Sequence, residues 1–262
     1  MPNSVAISAP TADYQHLKTE RGRVASRPGP AWDAYGAYLF DIDGTLMRDP
    51  ARIHSRAFSQ ACQSVLGHPL PLDAVHVAGS TDPRILRDAF AVASIPEGAW
   101  RPHRTELFTA LCDTVARDAN QMQLVLMPGV HAALDHLTAR GKCLGVATGN
   151  LEDIGWLKLE RTGLRRYFAF GGFSSAQGFR IAHEERDAMI AAASEVARAA
   201  AGPAAALVVV GDTPSDITAA HANSLPVIAV ATGHYAFEDL LAHGPEICAD
   251  SLDALLAEAP SR

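Results

Sequence analysis

The chain has 262 residues, 48% of them hydrophobic and 19% charged, with a formal net charge of −7. That is enough apolar material for a full core and a second small domain. The mild acidity excludes a general attraction to nucleic acid or to an anionic membrane, so an anionic ligand must be held by local donors or by a metal.

Residues 1–33 mix polar residues with Arg21, Arg23 and Arg27 before a Pro28-Gly29-Pro30 stop. They read as a flexible extension outside the fold, without the continuous apolar stretch of a secretory signal. From Ala37 the pattern changes: Ala-Tyr-Leu-Phe (37–40) is a short apolar run ending at Asp41, as a buried parallel strand requires. Similar runs follow at 143–147, 206–210 and 227–231. Helical spacing lies between them over 130–139, 151–161 and 186–201, with stops at Gly163 and Gly202-Pro203. The stretch from about Arg52 to Asn120 breaks this alternation and predicts helices only, over 54–66, 82–93 and 100–117. The expected architecture is α/β: a Rossmann-like parallel-sheet core from 34–50 and 128–262, with 51–127 inserted as a helical domain above the first strand. No run approaches the ~18 apolar residues of a membrane helix. Cys62, Cys112, Cys143 and Cys248 form no C-x-x-C pair, so buried free thiols and a cytoplasmic setting are expected.

In such sheets ligands bind at the carboxyl ends of the strands, and the acidic residues sit there. Asp41 and Asp43 are two apart, so on a chain still extended they project from one side. Two such carboxylates repel unless a divalent cation lies beside them. Asp-Gly is also a common turn signal, but the whole string Leu-Phe-Asp-Ile-Asp-Gly-Thr-Leu after a buried strand is far more specific. Thr148, with the backbone N–H groups of Gly149 and Asn150, fits a phosphate cradle; alone it fits a helix N-cap equally well. Asp212 and Asp216, in Gly-Asp-Thr-Pro-Ser-Asp, return to the same mouth because Pro214 suits a first helical turn.

With these motifs in this order, the sequence from about Tyr38 onward resembles the haloacid dehalogenase (HAD) superfamily. Asp41-Ile-Asp43-Gly-Thr resembles its first motif, Thr148 its second and Gly211 to Asp216 its fourth, and the insertion falls where that superfamily places a helical cap, as in phosphoglycolate-phosphatase-like members. The third motif calls for Lys or Arg near a helix start. Its usual Lys-Pro pair is absent; Arg186 is the best candidate, with Arg180 and His183 behind it. A basic residue in a first helical turn opposes the helix dipole, which is a reason to expect a role.

The resemblance implies a Mg2+-dependent phosphatase acting on a small phosphorylated metabolite. Asp41 would attack phosphorus, and Asp43 would protonate the leaving alcohol and then activate water. The metal would be bound by Asp41, the backbone carbonyl of Asp43 and Asp212, with Asp216 in support. Thr148 and Arg186 would hold the phosphoryl oxygens. Near the first motif, Arg48, Arg52 and His54 could meet an anionic substrate tail, and Arg84 lies in a loop region resembling substrate-facing cap loops; a solvated helix face explains each of these as well. A monomer or homodimer without nucleic-acid or membrane partners is expected. A sugar-phosphate mutase of the β-phosphoglucomutase kind uses the same first-motif pair, and a non-catalytic phosphate-binding protein on this fold is the remaining alternative.

Overall fold

The computed structural model describes residues 14–257. The chain runs through strands β1 (Gln15–Thr19), β2 (Gly22–Ser26), β3 (Ala37–Phe40) and β4 (Met47–Arg48) into helices α1 (Ile53–Leu66), α2 (Asp82–Val92), α3 (Glu97–Trp100) and α4 (Arg104–Asp118). Next come β5 (Val125–Leu126), α5 (Val130–Ala139), β6 (Cys143–Thr148), α6 (Glu152–Arg161), β7 (Phe170–Phe173), β8 (Ser175–Ala176) and β9 (Ile181–Ala182). The last described elements are α7 (Arg186–Ala201), β10 (Leu207–Gly211), α8 (Pro214–Ala222), β11 (Val227–Val230), α9 (Phe237–Ala242), β12 (Ile247–Ala249) and α10 (Leu252–Leu256).

The main sheet has the order β1-β2-β12-β11-β10-β3-β6-β7. From β12 to β7 every pairing is parallel, which is the α/β architecture the alternating pattern predicts. Side-chain alternation in β3 feeds both faces. Tyr38 and Phe40 enter one apolar layer with Leu134, Leu137 and Val146. Ala37 and Leu39 enter the other, with Met189, Ile190 and Ala193 of α7. Because β3 lies between β10 and β6, the residues that follow these three strands meet at one edge.

Between β4 and β5 the chain leaves this core and returns. Met47 pairs with Leu126 and Arg48 with Val125, so the exit and re-entry are clipped together as a two-stranded ribbon. The helices in between, α1 to α4, share a third apolar cluster containing Phe58, Phe90, Trp100, Phe108 and Leu111. Phe90 and Trp100 stack with ring centroids 4.8 Å apart. The same cluster continues onto Leu151 and Ile154 of the core, so the insertion rests on the start of α6. One predicted helix differs: 100–117 is divided into α3, a 3-10 turn at Arg101–His103 and α4. Pro102 accounts for the break, since it cannot donate to a continuous helical ladder.

The expectation that residues 1–33 stand outside the fold is corrected. Residues 1–13 lie outside the described residues, but β1 and β2 form an antiparallel hairpin, and β2 pairs with β12 to extend the sheet. Val24 and Ala25 are buried there, and Trp32 and Tyr35 belong to the core as well. β1 is an edge strand exposed along most of its length, so its polar sequence carries no alternating apolar signal. The four cysteines are free; burial pushes the Cys62 and Cys248 thiols up to about 12. Among the described residues, no helix is long and apolar enough to cross a membrane.

The hairpin is tied down by Asp250. Its carboxylate accepts from the Arg23 backbone N–H at 2.7 Å and from the guanidinium Nη2 at 2.8 Å. Partial burial alone would raise the Asp250 carboxyl; the hydrogen bonds from Arg23 outweigh it and hold it below the usual range. A carboxyl depressed by folding contributes stability at neutral pH that is lost as pH falls through its folded value. Asp250→Asn is therefore expected to cost about 1 kcal/mol at pH 7, lowering Tm by about 2–4 °C in a chain of this size. Thermal melts should show that gap narrowing as pH falls below the ordinary carboxylate range; a gap undiminished in acid would mean the ionised pair is not its source.

Candidate active site

β3 leads straight into Asp41, which is buried, with its backbone N–H donating to the Val210 carbonyl of β10 at 2.9 Å. Ile42 turns into the core, and Asp43 comes back to the side of Asp41. Gly44 then turns the chain with a φ of +92°. A Cβ built on Gly44 would lie 2.2 Å from Asp212 Oδ2, and one on Gly233 would lie 1.7 Å from the same atom. Bare backbone on both sides is what lets the Asp212 carboxylate fit.

β10 delivers Asp212, also buried, whose Oδ1 accepts from the Thr45 hydroxyl at 3.0 Å. One turn on, Asp216 closes a capping box at the start of α8. Its Oδ2 accepts from the Thr213 backbone at 3.1 Å and the Thr213 hydroxyl at 2.7 Å. Its Oδ1 accepts from Arg186, through Nε at 2.9 Å and also through Nη2. The same Nη2 lies 3.0 Å from Asp41 Oδ1. Arg186 is the first residue of α7 and is 7% exposed. Of the three candidates for the basic position, it is the one that reaches Asp41: His183 and Arg180 do not line the cavity described below.

Asp41, Asp212 and Asp216 each offer a carboxylate oxygen within 4.8 Å of the others. Burial pushes the Asp41 carboxyl up to about 6 despite the pull of Arg186, and burial with Asp41 beside it raises Asp212 well above its ordinary value. Three carboxylates with one guanidinium leave an excess of negative charge in a closed space. Hard oxygen donors so arranged suit a divalent cation of the magnesium or calcium kind, and the glycine walls leave room for no side chain to replace it.

β6 brings the third part. Thr148 and Asn150 are buried, and Asn150 Nδ2 donates to Thr148 Oγ1 at 2.7 Å and to Asp43 Oδ2 at 2.8 Å. The insertion closes over this loop. Asp82 N–H donates to the Gly149 carbonyl at 2.7 Å, and a Cβ on Gly149 would stand 2.4 Å from the Ser80 carbonyl oxygen. Asp41, Asp43, Thr148, Arg186 and Asp212 line one cavity of about 640 Å³. A buried guanidinium, a hydroxyl and a carboxylate facing one space have the chemistry to bind and attack a phosphoryl group.

Arg48, Arg52 and His54 also line this cavity. Arg52 has a left-handed backbone (φ 53°) as the N-cap residue of α1, and no acidic side chain among the described residues pairs with it or with Arg48. His54 is engaged by protein groups: Nδ1 lies 3.2 Å from Lys158 Nζ, and Nε2 lies 3.2 Å from Asp82 Oδ2. Arg84 is not brought to the cavity. It lines a neighbouring groove, where it pairs with Asp88 and Glu185.

Lys158 is the residue that sequence reasoning missed. It is 1% exposed on α6, and its Nζ donates to Asp43 Oδ1 at 2.8 Å, Asp43 Oδ2 at 2.6 Å and Asn150 Oδ1 at 2.8 Å. Burial would raise the Asp43 carboxyl, but the Lys158 charge, with hydrogen bonds from Lys158 and Asn150, holds it below its ordinary range. The available signal was position: Lys158 falls four residues after Ile154, on the face that packs inward.

Over residues 35–223 the chain matches the family model described as haloacid dehalogenase-like hydrolase. It is 27% identical over 219 residues to a phosphoglycolate phosphatase of Agrobacterium fabrum, covering 83% of this chain and 89% of that one. A phosphoglycolate phosphatase of Pseudomonas fluorescens is 26% identical over 219 residues, covering 83% and 77%. The crystal structure of a hydrolase from Pseudomonas syringae superposes with a TM-score of 0.61 at 19% identity, covering 85% of this chain and 97% of that one. With its family model spanning well over half the chain and its acidic residues gathered at the end of the parallel sheet, this protein belongs to the haloacid dehalogenase-like hydrolases.

Proposed function

We propose that this enzyme is a magnesium-dependent phosphatase that hydrolyses a small phosphate monoester through an aspartyl-phosphate on Asp41, with helices α1 to α4 serving as its cap. The observation that carries the reading is the convergence of Asp41, Asp212 and Asp216 within 4.8 Å of one another, beside Arg186. Mg2+ would be held by the carboxylates of Asp41 and Asp212 and the backbone carbonyl of Asp43, with Asp216 behind them. Bound there, it supplies positive charge that offsets the repulsion between an anionic ester and an anionic nucleophile.

The remaining work falls to the chain. Asp41 attacks phosphorus, and the bond from phosphorus to the alcohol oxygen breaks as the bond to Asp41 forms. Arg186, Thr148 and the backbone N–H groups of Gly149 and Asn150 hold the phosphoryl oxygens. Asp43 gives its proton to the departing oxygen. A water then attacks phosphorus and passes a proton back to Asp43, releasing inorganic phosphate and restoring Asp41. Lys158 favours the ionised Asp43 that this second step uses. An arriving phosphate dianion works in the opposite direction and favours the protonated form the first step uses.

The substrate class is a small ester with a second anionic group. The relatives' names support this, as do Arg48 and Arg52, which line the cavity without an acidic partner among the described residues. His54 is directed to the protein rather than to that tail, and Arg84 to the neighbouring groove.

With Mg2+, the purified enzyme is expected to release phosphate from a panel of small monoesters, and EDTA is expected to stop it. Asp41→Asn should lower kcat by about 10³-fold or more; turnover that survives this change would exclude Asp41 as the nucleophile. Arg52→Ala should raise KM about tenfold for carboxylated monoesters, the cost of about one charge-assisted contact, and leave KM for esters with neutral tails nearly unchanged. An equal rise for both would remove Arg52 from substrate selection.

A further inference from the structure

A chain of contacts runs from the insertion to the acid–base carboxylate of the proposed reaction. Lys158 Nζ has three donors, and the structure fills them with three partners: Asp43, Asn150 Oδ1 and His54 Nδ1. Because Nδ1 of His54 faces an ammonium, it must act as the acceptor, and the ring proton then sits on Nε2. That nitrogen is buried and lies 3.2 Å from Asp82 Oδ2, close but not aligned as a hydrogen bond. Asp82 is itself buried and fixed, since Oδ2 accepts from the Leu151 backbone at 2.7 Å. His54 also stacks on Phe58, with centroids 5.3 Å apart, so the ring cannot turn freely.

The parts come from different bodies. His54 belongs to α1 and Asp82 to α2, both in the insertion; Lys158 and Asn150 belong to the core around α6. Asp43 Oδ2 accepts from both Lys158 and Asn150, whereas Oδ1 accepts from Lys158 alone. Almost half of the Asp43 side chain still faces the cavity. A carboxylate held by one edge, with the other oxygen less occupied, has a defined direction in which to pass a proton. Without the grip it would be free to rotate among its side-chain wells.

We propose that Lys158 is the positioning residue for Asp43, and that His54, steadied by Asp82, completes the grip from the insertion. This rests on the phosphatase reading above, in which Asp43 transfers the proton. Neither Lys158 nor His54 contacts the phosphoryl group in this scheme; both act through Asp43.

The two roles separate by leaving group. An alkyl phosphate needs a proton on its departing oxygen, and p-nitrophenyl phosphate does not, so the ratio of their kcat/KM values reads the acid step alone. General acid catalysis supplies about 10²–10⁴-fold, and a misdirected acid loses part of that. His54→Leu and Lys158→Met are each expected to lower the alkyl-to-nitrophenyl ratio about tenfold or more. His54→Asn keeps an acceptor near the Nδ1 position and should restore most of the ratio. Circular dichroism and thermal melts identify any variant that fails to fold, and His54→Asn against His54→Leu then carries the comparison. If folded variants lose activity on both esters equally, the positioning role is overturned while the phosphatase reading stands. If the wild-type enzyme with Mg2+ cleaves neither ester, both readings fall together.

Discussion

Three carboxylates are packed into the end of one sheet, and much of the surrounding structure answers to their mutual repulsion. Two unit charges about 4 Å apart interact by roughly 4 kcal/mol at the effective dielectric of a protein site. Asp41, Asp212 and Asp216 lie within 4.8 Å of one another, and Arg186 is the guanidinium that touches two of them. Removing Arg186 would leave buried charge without compensation, which is the costly way to break such a pair. Its place at the start of α7, against the helix dipole, is a small penalty beside that. What Arg186 does not neutralise is an excess of negative charge, which oxygen donors so arranged could offer to a divalent cation.

That crowding is set up by topology before any side chain is chosen. β3 lies between β10 and β6, so Asp41, Asp212 and Thr148 are neighbours because their strands are. The loops then refine the placement. Gly44 turns the chain sharply after Asp43, and its carbonyl accepts from the Thr232 hydroxyl at 2.6 Å, which draws the loop after β11 over the same edge. The turn also sends the chain into β4, so the residue that walls Asp212 begins the exit to the insertion.

The core strands and most helices were legible because each buries a continuous or regularly spaced apolar face. Asp41, Asp212, Asp216 and Thr148 were legible because each follows such a strand. What escaped detection had another kind of reason to be there. β1 is exposed along nearly all of its length and is held by backbone pairing and by Arg23 with Asp250, neither of which leaves a periodic pattern. β7 reads Phe-Gly-Gly-Phe, and its glycines look like a loop. In the fold, a Cβ on Gly172 would lie 2.2 Å from that of Ala193, so close packing on α7 selects the glycine. Lys158 was hidden by its type: a lysine on a helix is read as solvated, although its spacing from Ile154 places it on the face that packs inward. Arg84 erred the other way, since its two acidic partners come from Asp88 nearby and from Glu185 far along the chain.

The insertion contributes more than a wall. Asp82 N–H and Oδ2 hold the backbone on either side of Asn150, and Thr81 Oγ1 donates to the Glu184 carbonyl at 2.8 Å, two residues before Arg186. The segment around Asn150 and the one leading to Arg186 are thus braced by the same short stretch of chain. Around it, Arg84 and Arg87 meet Glu184 and Glu185 at partly exposed positions. Exposed ion pairs contribute little each and are weakened by salt, so they do not fix the seat to a fraction of an ångström. The hydrogen bonds that Thr81 and Asp82 make to the core backbone do, because they allow one register. Asp41 and Asp212 are fixed at the ends of sheet strands and Asp216 by the capping box of α8, whereas Asp43, Asn150 and Arg186 gain part of their orientation from a body joined to the core by two short strands. Charge storage then belongs to the core, and the orientation of the neighbouring side chains to its contact with the insertion.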